Sequence, residues 1–523
     1  MKRQRLDVNL GELDQVLDQA QQAPMSAPDC QKIKTTLHTL VELLAAKRRT
    51  EKTSAVVGAA GGDATAPAAP PAEAASTEKK ANGHGRNPAS AYTGATKVAV
   101  PHPSLKSGDA CPECPKGKVY AQKEPRPLVR IVGQAPLGAT VYELEQLRCN
   151  ACGQVFTAPE PEGVGPEKYD ETAMAMIAEL KYGSGMPFNR IENLEERLGV
   201  PLPAATQWEI AEEAAVLLKP VCDELIRQAA QGELFYNDDT SVRILKLERP
   251  EGDERTGVFT SAVLSVVRET GPEGIAERRM ALYFSGREHA GENLAKVLQQ
   301  RADGTEGTPG PAILMSDALA RNVPKLGPGV ELLWANCMSH GRRRFVDVVG
   351  NFPEECRYVL ETLGAVYAND AVTKERKMTP GERLEFHRQN SQTLMDGLER
   401  WMREQFSERK VEPNSGLGKA ITYLQRHWKP LTLFLRQAGA PLDNNICERA
   451  LKLAVLHRKN GLFYRTVHGA QVGDLFMSLI HTCQLNGVNS FEYLVELMRH
   501  AAQVAANPRA WMPWCYRAAL GPG

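Results

Sequence analysis

The chain has 523 residues, and its 63 Lys and Arg match its 63 Asp and Glu, so the formal net charge is zero and gives no hint of nucleic acid. The length excludes a single ordinary core, and about three or four domains are expected. No uninterrupted apolar run approaches the roughly 18 residues that a membrane span needs, and Met1–Asp7 leads into no apolar signal segment, so a soluble, cytosolic protein is expected.

Residues 1–50 read as a leucine-rich helical region, with Leu37, Leu40, Val41 and Leu44 at helical spacing. That stripe serves equally for a hairpin packed on itself or for pairing with another subunit. Residues 51–107 are rich in Ala, Pro and Gly and cannot bury a core, which predicts a linker. Residues 108–160 hold Cys111-Pro112-Glu113-Cys114 and Cys149-Asn150-Ala151-Cys152, four of the 11 cysteines. In a reducing compartment, two such knuckles predict a four-cysteine zinc ribbon: one structural Zn²⁺ held by four thiolates. Leu128–Val132 and Val141–Leu144 are the expected strands between them.

Residues 166–230 look helical. Phe188–Glu192, a turn at Leu198-Gly199-Val200, and Ala205-Thr206-Gln207-Trp208 have the cadence of helix-turn-helix, a fold that either reads DNA or only packs. From residue 231 to 350 the period shifts to two. Asp238 lies in the strand-like Leu234–Thr240, and Val242–Leu245, Val258–Leu264 and Met280–Phe284 read as a meander of three strands. A helix near Ala290–Gln300 follows, then strands at Ala312–Met315, which Asp317 ends, and Glu331–Trp334. This order matches an RNase H-like core, a mixed five-stranded sheet with helices, with Asp238 on the central strand and Asp317 beside it.

Residues 351–437 read as an all-α insertion. Residues 438–486 return to the core with a helix opened by Asp443 and Asn444 as N-cap candidates, which puts Glu448 in its first two turns and Lys452 one turn further along the same face. Residues 487–523 are expected to form a C-terminal helix capped by Ser490 and an aromatic tail, Trp511–Trp514, docked on the core. Two strand-borne aspartates and a late helical glutamate can converge on two divalent cations for phosphoryl transfer. Arg342, Arg343, Arg344, Arg458 and Lys459 form local basic clusters.

With these residues in view, the chain resembles the bacterial insertion-sequence sixty-six family of DDE-type transposases, the large catalytic subunit. The most specific stretch is Asp443-Asn444-Asn445-Ile446-Cys447-Glu448-Arg449-Ala450, followed by Arg458-Lys459-Asn460. Asn237-Asp238-Asp239-Thr240 and Cys337-Met338-Ser339-His340 also belong to the likeness. The family shows Asp-Glu-Thr at its first acidic site, so Asp238 is the ligand and Asp239 stands for the Glu. Strand alternation agrees that only one of the two can face the site.

The resemblance implies hydrolytic nicking at transposon ends followed by strand transfer, with Asp238, Asp317 and Glu448 as catalytic ligands of two Mg²⁺ or Mn²⁺ ions. Double-stranded DNA, as terminal repeats and as target, is then the partner. Arg342, Arg343, Arg344, Lys452, Arg458 and Lys459 are the expected phosphate contacts. A homo-oligomer, accessory proteins of the same element, no membrane, and a cytoplasmic, nucleoid-associated location go with it. Cys337 and His340 either orient the active-site helix or bind a metal. Two other readings remain open: a sequence-specific zinc DNA-binding protein without catalysis, and an RNase H-fold nuclease that cuts without joining.

Overall fold

The computed structural model describes residues 89–91 and 97–521 apart from 115, 121, 123–127, 129–130, 132–133, 149, 151, 153, 166, 249–254, 272–273, 302–310 and 328–330. Leu37 to Leu44, most of the linker and Cys149 lie outside the described residues. The chain divides into two compact units, one at Thr65–Gly138 and the other holding Ala139–Gly523.

In the first unit, Cys111 and Cys114 sit on a tight knuckle. The Cys111 N–H donates to Gly117 O (2.9 Å), the Gly117 N–H to Cys114 O (3.0 Å), and the Cys114 N–H to Cys111 Sγ (3.4 Å). An isolated bridge between Ala110 and Lys118 closes it. A Cβ on Gly117 would stand 3.2 Å from Cys114 Sγ, so the turn has little room for a side chain. The backbone N–H groups of Cys114 and Glu113 lower the Cys111 pKa, favouring the thiolate.

The second unit opens with an antiparallel pair, β1 (Gln146–Arg148) and β2 (Val155–Thr157), whose connection carries Cys152. The expected strand at Val141–Leu144 is displaced: those residues are irregular, and pairing starts at Gln146, where a partner is available. Helices α1 (Glu171–Ala178), α2 (Phe188–Arg197) and α3 (Ala204–Ala229) follow. Gly199 makes the turn before α3 at φ +83°, a conformation open to glycine at no steric cost. Helix α3 buries residues along its whole length, from Gln207 to Ala229, as a core helix does.

Strand β3 (Leu234–Ser241) is central in a five-stranded mixed sheet, with β5 (Phe259–Gly271), β6 (Gly274–Gly286), β7 (Ala312–Ser316) and β8 (Leu332–Asn336) in the order β6-β5-β3-β7-β8. The β5 and β6 pairings are antiparallel, and β3, β7 and β8 run parallel. Leu234–Asn237 and all of β7 are buried, as strands covered on both faces must be. Val242–Leu245 does not belong to this sheet. Its counterpart β4 (Ile244–Lys246) pairs in parallel with β9 (Tyr464–Thr466), and the meander's first member is β3 itself. Helix α4 (Ala290–Gln299) precedes β7, and α5 (Met338–Val346) follows β8. Helices α6 (Pro353–Glu375), α7 (Pro380–Asn390), α8 (Gln392–Ser407) and α9 (Gly416–Arg426) lead to α10 (Asn445–Gly461), the helix that carries Glu448.

Helix α11 (Val467–Leu485) covers the outer edge of β6. The N–H groups of Ala281 and Tyr283 donate to Thr482 Oγ1 and Ser478 Oγ, each at 3.0 Å, and that of Ser285 to Asp474 Oδ2 at 2.6 Å. Four helical residues rise about 6 Å and two strand residues about 6.6 Å. The polar stripe at every fourth position therefore stays in step with the free N–H row of an edge strand, which is thereby closed to other chains. Helix α12 (Ser490–Arg499) is capped by Asn489, whose Oδ1 accepts from the N–H groups of Phe491 and Glu492, one residue before the expected Ser490. Trp511 and Met512 of the tail are buried, and Tyr493 Oη donates to Trp511 O.

Burial pushes the Asp474 carboxyl up to about 7, against the pull of its bonds from Ser285. The folded state therefore keeps a proton that the unfolded chain has lost, and this group's stabilisation fades as pH rises from about 4 to about 7. Asp474→Asn, which titrates nowhere, is expected to remove up to about 4 kcal/mol of that decline. Denaturant midpoints of both proteins at pH 5 and pH 8, between which roughly 2.5 kcal/mol of that decline falls, measure it; the same pH dependence in both proteins would mean that Asp474 stays ionised throughout.

Candidate active site

The parallel pairing of β3 with β7 sets Tyr236 opposite Met315. Two residues further along each line come Asp238 and Asp317, so two carboxylates meet where this pairing ends. Asn322, fully buried in the short turn Ala320–Asn322, joins them. Its Nδ2 is 2.6 Å from Asp317 Oδ1 and 3.3 Å from Asp238 Oδ1, one amide hydrogen for each carboxylate. The Leu319 N–H donates to Asp317 Oδ1 (3.1 Å) and the Asp239 N–H to Asp238 Oδ1 (2.8 Å). Burial first, and then the negative charges of Asp317 and Asp239, raise the Asp238 carboxyl to about 7. Two like charges thus share a pocket where both cannot easily ionise.

Asp239 points to the other face, as its neighbouring strand position requires. There its carboxylate meets His289 Nδ1 at 2.8 Å and an Arg321 Nη2 at 3.3 Å. It is a fastener between β3, the start of α4 and the turn after β7.

Helix α10 lies across β3 and β5. Asn444, completely buried at its start, donates Nδ2 to Asn237 O (3.1 Å) and its backbone N–H to Cys337 Sγ (3.3 Å). The capping bond comes from the neighbour: Asp443 Oδ1 accepts from the Asn445 N–H (3.1 Å). One residue before Glu448, Cys447 Sγ donates to Ala262 O (3.5 Å), and Ala262 is the cross-strand partner of Asp238. Burial, then the charges of Asp238, Glu448 and Asp317, push the Cys447 thiol well above its ordinary value. All three carboxylates therefore bear on one buried sulfur. Among the described residues Glu448 makes no hydrogen bond to either aspartate; its Oε1 stands 3.9 Å from His340 Nδ1.

Cys337, buried between the end of β8 and α5, receives the Asn444 N–H, and the Met338 N–H donates to Leu442 O (3.0 Å). Of the expected phosphate contacts, Lys452 and Lys459 are exposed on the Glu448 side of α10. Arg458 is committed to β3, donating to Thr240 Oγ1 (3.0 Å) and to Ser241 O (2.7 Å). Arg344 stacks over the Tyr423 ring at 4.0 Å. Arg342 and Arg343 lie on α5 one and two residues beyond Gly341, whose Cβ position is filled by Leu424 of α9.

The sequence profile of the Transposase IS66 family matches residues 167–472, more than half of the chain. The chain belongs to this family. The IS66 match encloses the five-stranded sheet, both aspartates, the Cys337–His340 turn and Glu448, and begins after the cysteine knuckles. Relatives in Sinorhizobium fredii include the uncharacterized protein y4hP, 25% identical over 394 residues (72% of this chain, 67% of that protein). Another, the uncharacterized protein y4jD, is 25% identical over 391 residues, 71% of each chain. No described helix of this IS66-family chain is long and apolar enough to cross a membrane.

Reading the sequence alone missed Asn322, and it took Asn444 as a helix cap and as part of the family stretch but not as a tie to β3 and Cys337. Nothing in Ala318-Leu319-Ala320-Arg321-Asn322 marks an amide that joins two carboxylates, because the join is made in space.

Proposed function

We propose that the chain cuts and joins DNA at the ends of its own mobile element, with Asp238, Asp317 and Glu448 as the acidic centre of an RNase H-like core. The observation that carries this reading is the Asn322 amide shared by Asp238 and Asp317 at the end of two adjacent parallel strands. The donor set suits Mg²⁺ or Mn²⁺: hard carboxylate oxygens, a pair of like charges short of countercharge, and the buried Asn322 Oδ1 without a partner among the described residues. Asp238, Asp317 and Glu448 would hold two such ions, which when bound acidify the attacking water or 3′-hydroxyl and stabilise the leaving oxygen. Asn322 keeps the two aspartates at a fixed separation. Asn444 and Cys337 fix the start of α10 and with it the position of Glu448.

Lys452 and Lys459 hold DNA phosphates beside the cut. Replacing both with Glu is expected to flatten the dependence of log affinity on log salt by about 2 for end DNA. Binding titrations from about 50 to about 300 mM salt, over which the Debye length falls by about half, measure it. An unchanged slope would remove both lysines from the interface. A structural zinc on the Cys111 and Cys114 knuckle belongs to this reading, and the donor arrangement there supports it. A homo-oligomer acting on double-stranded terminal repeats and target, with accessory proteins of the same element, is the proposed assembly.

Labelled end DNA with Mg²⁺ or Mn²⁺ tests the reading. Cleavage followed by strand joining is the expected result. Cleavage without joining points to a nuclease, and binding without cleavage to a DNA-binding protein that has lost its chemistry.

A further inference from the structure

We propose that Cys337, His340 and Glu448 form a second, zinc-type transition-metal site that shares Glu448 with the magnesium-binding acids. It rests on the reading above only in that sharing. The donor atoms of these three residues all lie within 4.8 Å of one another, and no other trio of His, Cys, Asp or Glu among the described residues forms such a group. His340 Nδ1 is buried without a hydrogen-bond partner, 3.9 Å from Glu448 Oε1. Around tetrahedral zinc, nitrogen, oxygen and sulfur donors stand roughly 3.3–3.7 Å apart, so a side-chain adjustment of well under an ångström closes that edge.

The chain geometry favours a preformed pair. Cys337 is the residue before α5 and His340 lies in its first turn, so a three-residue step turns both donors to one side. Cys337 Sγ already accepts the Asn444 N–H, the kind of outer bond that orients a ligating thiolate. A thiolate, a neutral imidazole and a carboxylate carry two negative charges, which one divalent ion cancels. The sulfur and nitrogen donors select zinc over magnesium, whereas Asp238 and Asp317 offer oxygen alone. Glu448 has a single carboxylate on a side chain about one-third exposed. Turned toward Cys337 and His340 it serves this site, and turned toward the aspartates it serves the other, so zinc at Cys337 and His340 holds the third acid away from the other two.

The test uses the full chain without DNA. Zinc per chain is counted after equilibrium dialysis, and Co²⁺ replaces zinc to reveal tetrahedral bands and thiolate-to-cobalt charge transfer. Wild type is compared with His340→Ala and Glu448→Gln, changes at partly exposed positions, and with Cys337→Ser. The expected result is one ion fewer per chain in His340→Ala and in Cys337→Ser, a weaker charge-transfer band in Cys337→Ser, and at least tenfold weaker binding of that ion in Glu448→Gln. Unchanged ion counts and spectra in the His340 and Glu448 variants would overturn the proposal. Loss of the ion in His340→Ala with full retention in Glu448→Gln would overturn the sharing. Neither readout depends on strand cleavage, so failure of the transposition chemistry is seen separately.

Discussion

Asp317→Asn is expected to lower cleavage of end DNA by about 10³-fold or more while DNA binding stays within about twofold. The size follows from the several kcal/mol of charge stabilisation that a properly held metal contributes, each 1.36 kcal/mol being tenfold in rate. An amide keeps the shape and an acceptor oxygen for the Leu319 N–H and for Asn322 Nδ2, so the turn after β7 keeps its bonds. What it loses is one negative charge from a pair. Removing that charge also relieves Asp238, whose carboxyl is raised partly by Asp317, so the variant is expected to be at least as stable as wild type. Single-turnover cleavage, filter binding and a thermal melt on the same preparation separate the effects. Persistent cleavage with unchanged metal dependence would take Asp317 out of the metal site, and parallel loss of cleavage, binding and stability would make it a structural residue.

The sheet was legible where the chemistry of burial is local. The apolar run of β7 buries both faces, and its composition marks it as an inner strand, whereas β3, half polar, is placed at the centre only by the order of the elements. Strand alternation says only that one of Asp238 and Asp239 faces the site, and the family likeness chooses Asp238; Asp239 faces His289 and Arg321. Val242–Leu245 misled because its apolar alternation is real but short: Ile244–Lys246 finds its partner more than 200 residues later, at Tyr464–Thr466, and no local pattern encodes that distance. The basic residues were legible as charges but not as roles. Arg458 and Lys459 are adjacent in sequence, yet helical rotation sends the first onto Thr240 and Ser241 and leaves the second exposed. The same limit hid Asn322 and the two bonds of Asn444, both of which reach across the fold to strand β3 or to Cys337.

Asn322→Leu is expected to weaken Mg²⁺-supported cleavage about 10–100-fold at limiting metal, the range typical for loss of a residue that orients metal ligands. Leucine keeps the branched outline of the amide with bulkier methyl groups, so the turn Ala320–Asn322 stays filled, but the hydrogens shared by Asp238 and Asp317 are gone. The Asn322 bond is one of the influences that hold the Asp238 carboxyl down against burial and its two acidic neighbours. Without it Asp238 takes up a proton at still higher pH than about 7, and protons compete with the metal over a wider range. The sign is therefore definite: the acid limb of the cleavage profile moves to higher pH, and more Mg²⁺ or a higher pH restores most of the rate. Loss of a general structural support would behave otherwise, lowering the rate equally at every pH and metal concentration. A grid of cleavage rates over pH 6–9 and a hundredfold range of Mg²⁺ reads the difference. A uniform decrease across that grid would mean that Asn322 only fills space between β3 and β7, and that the join between the two aspartates has no part in holding metal.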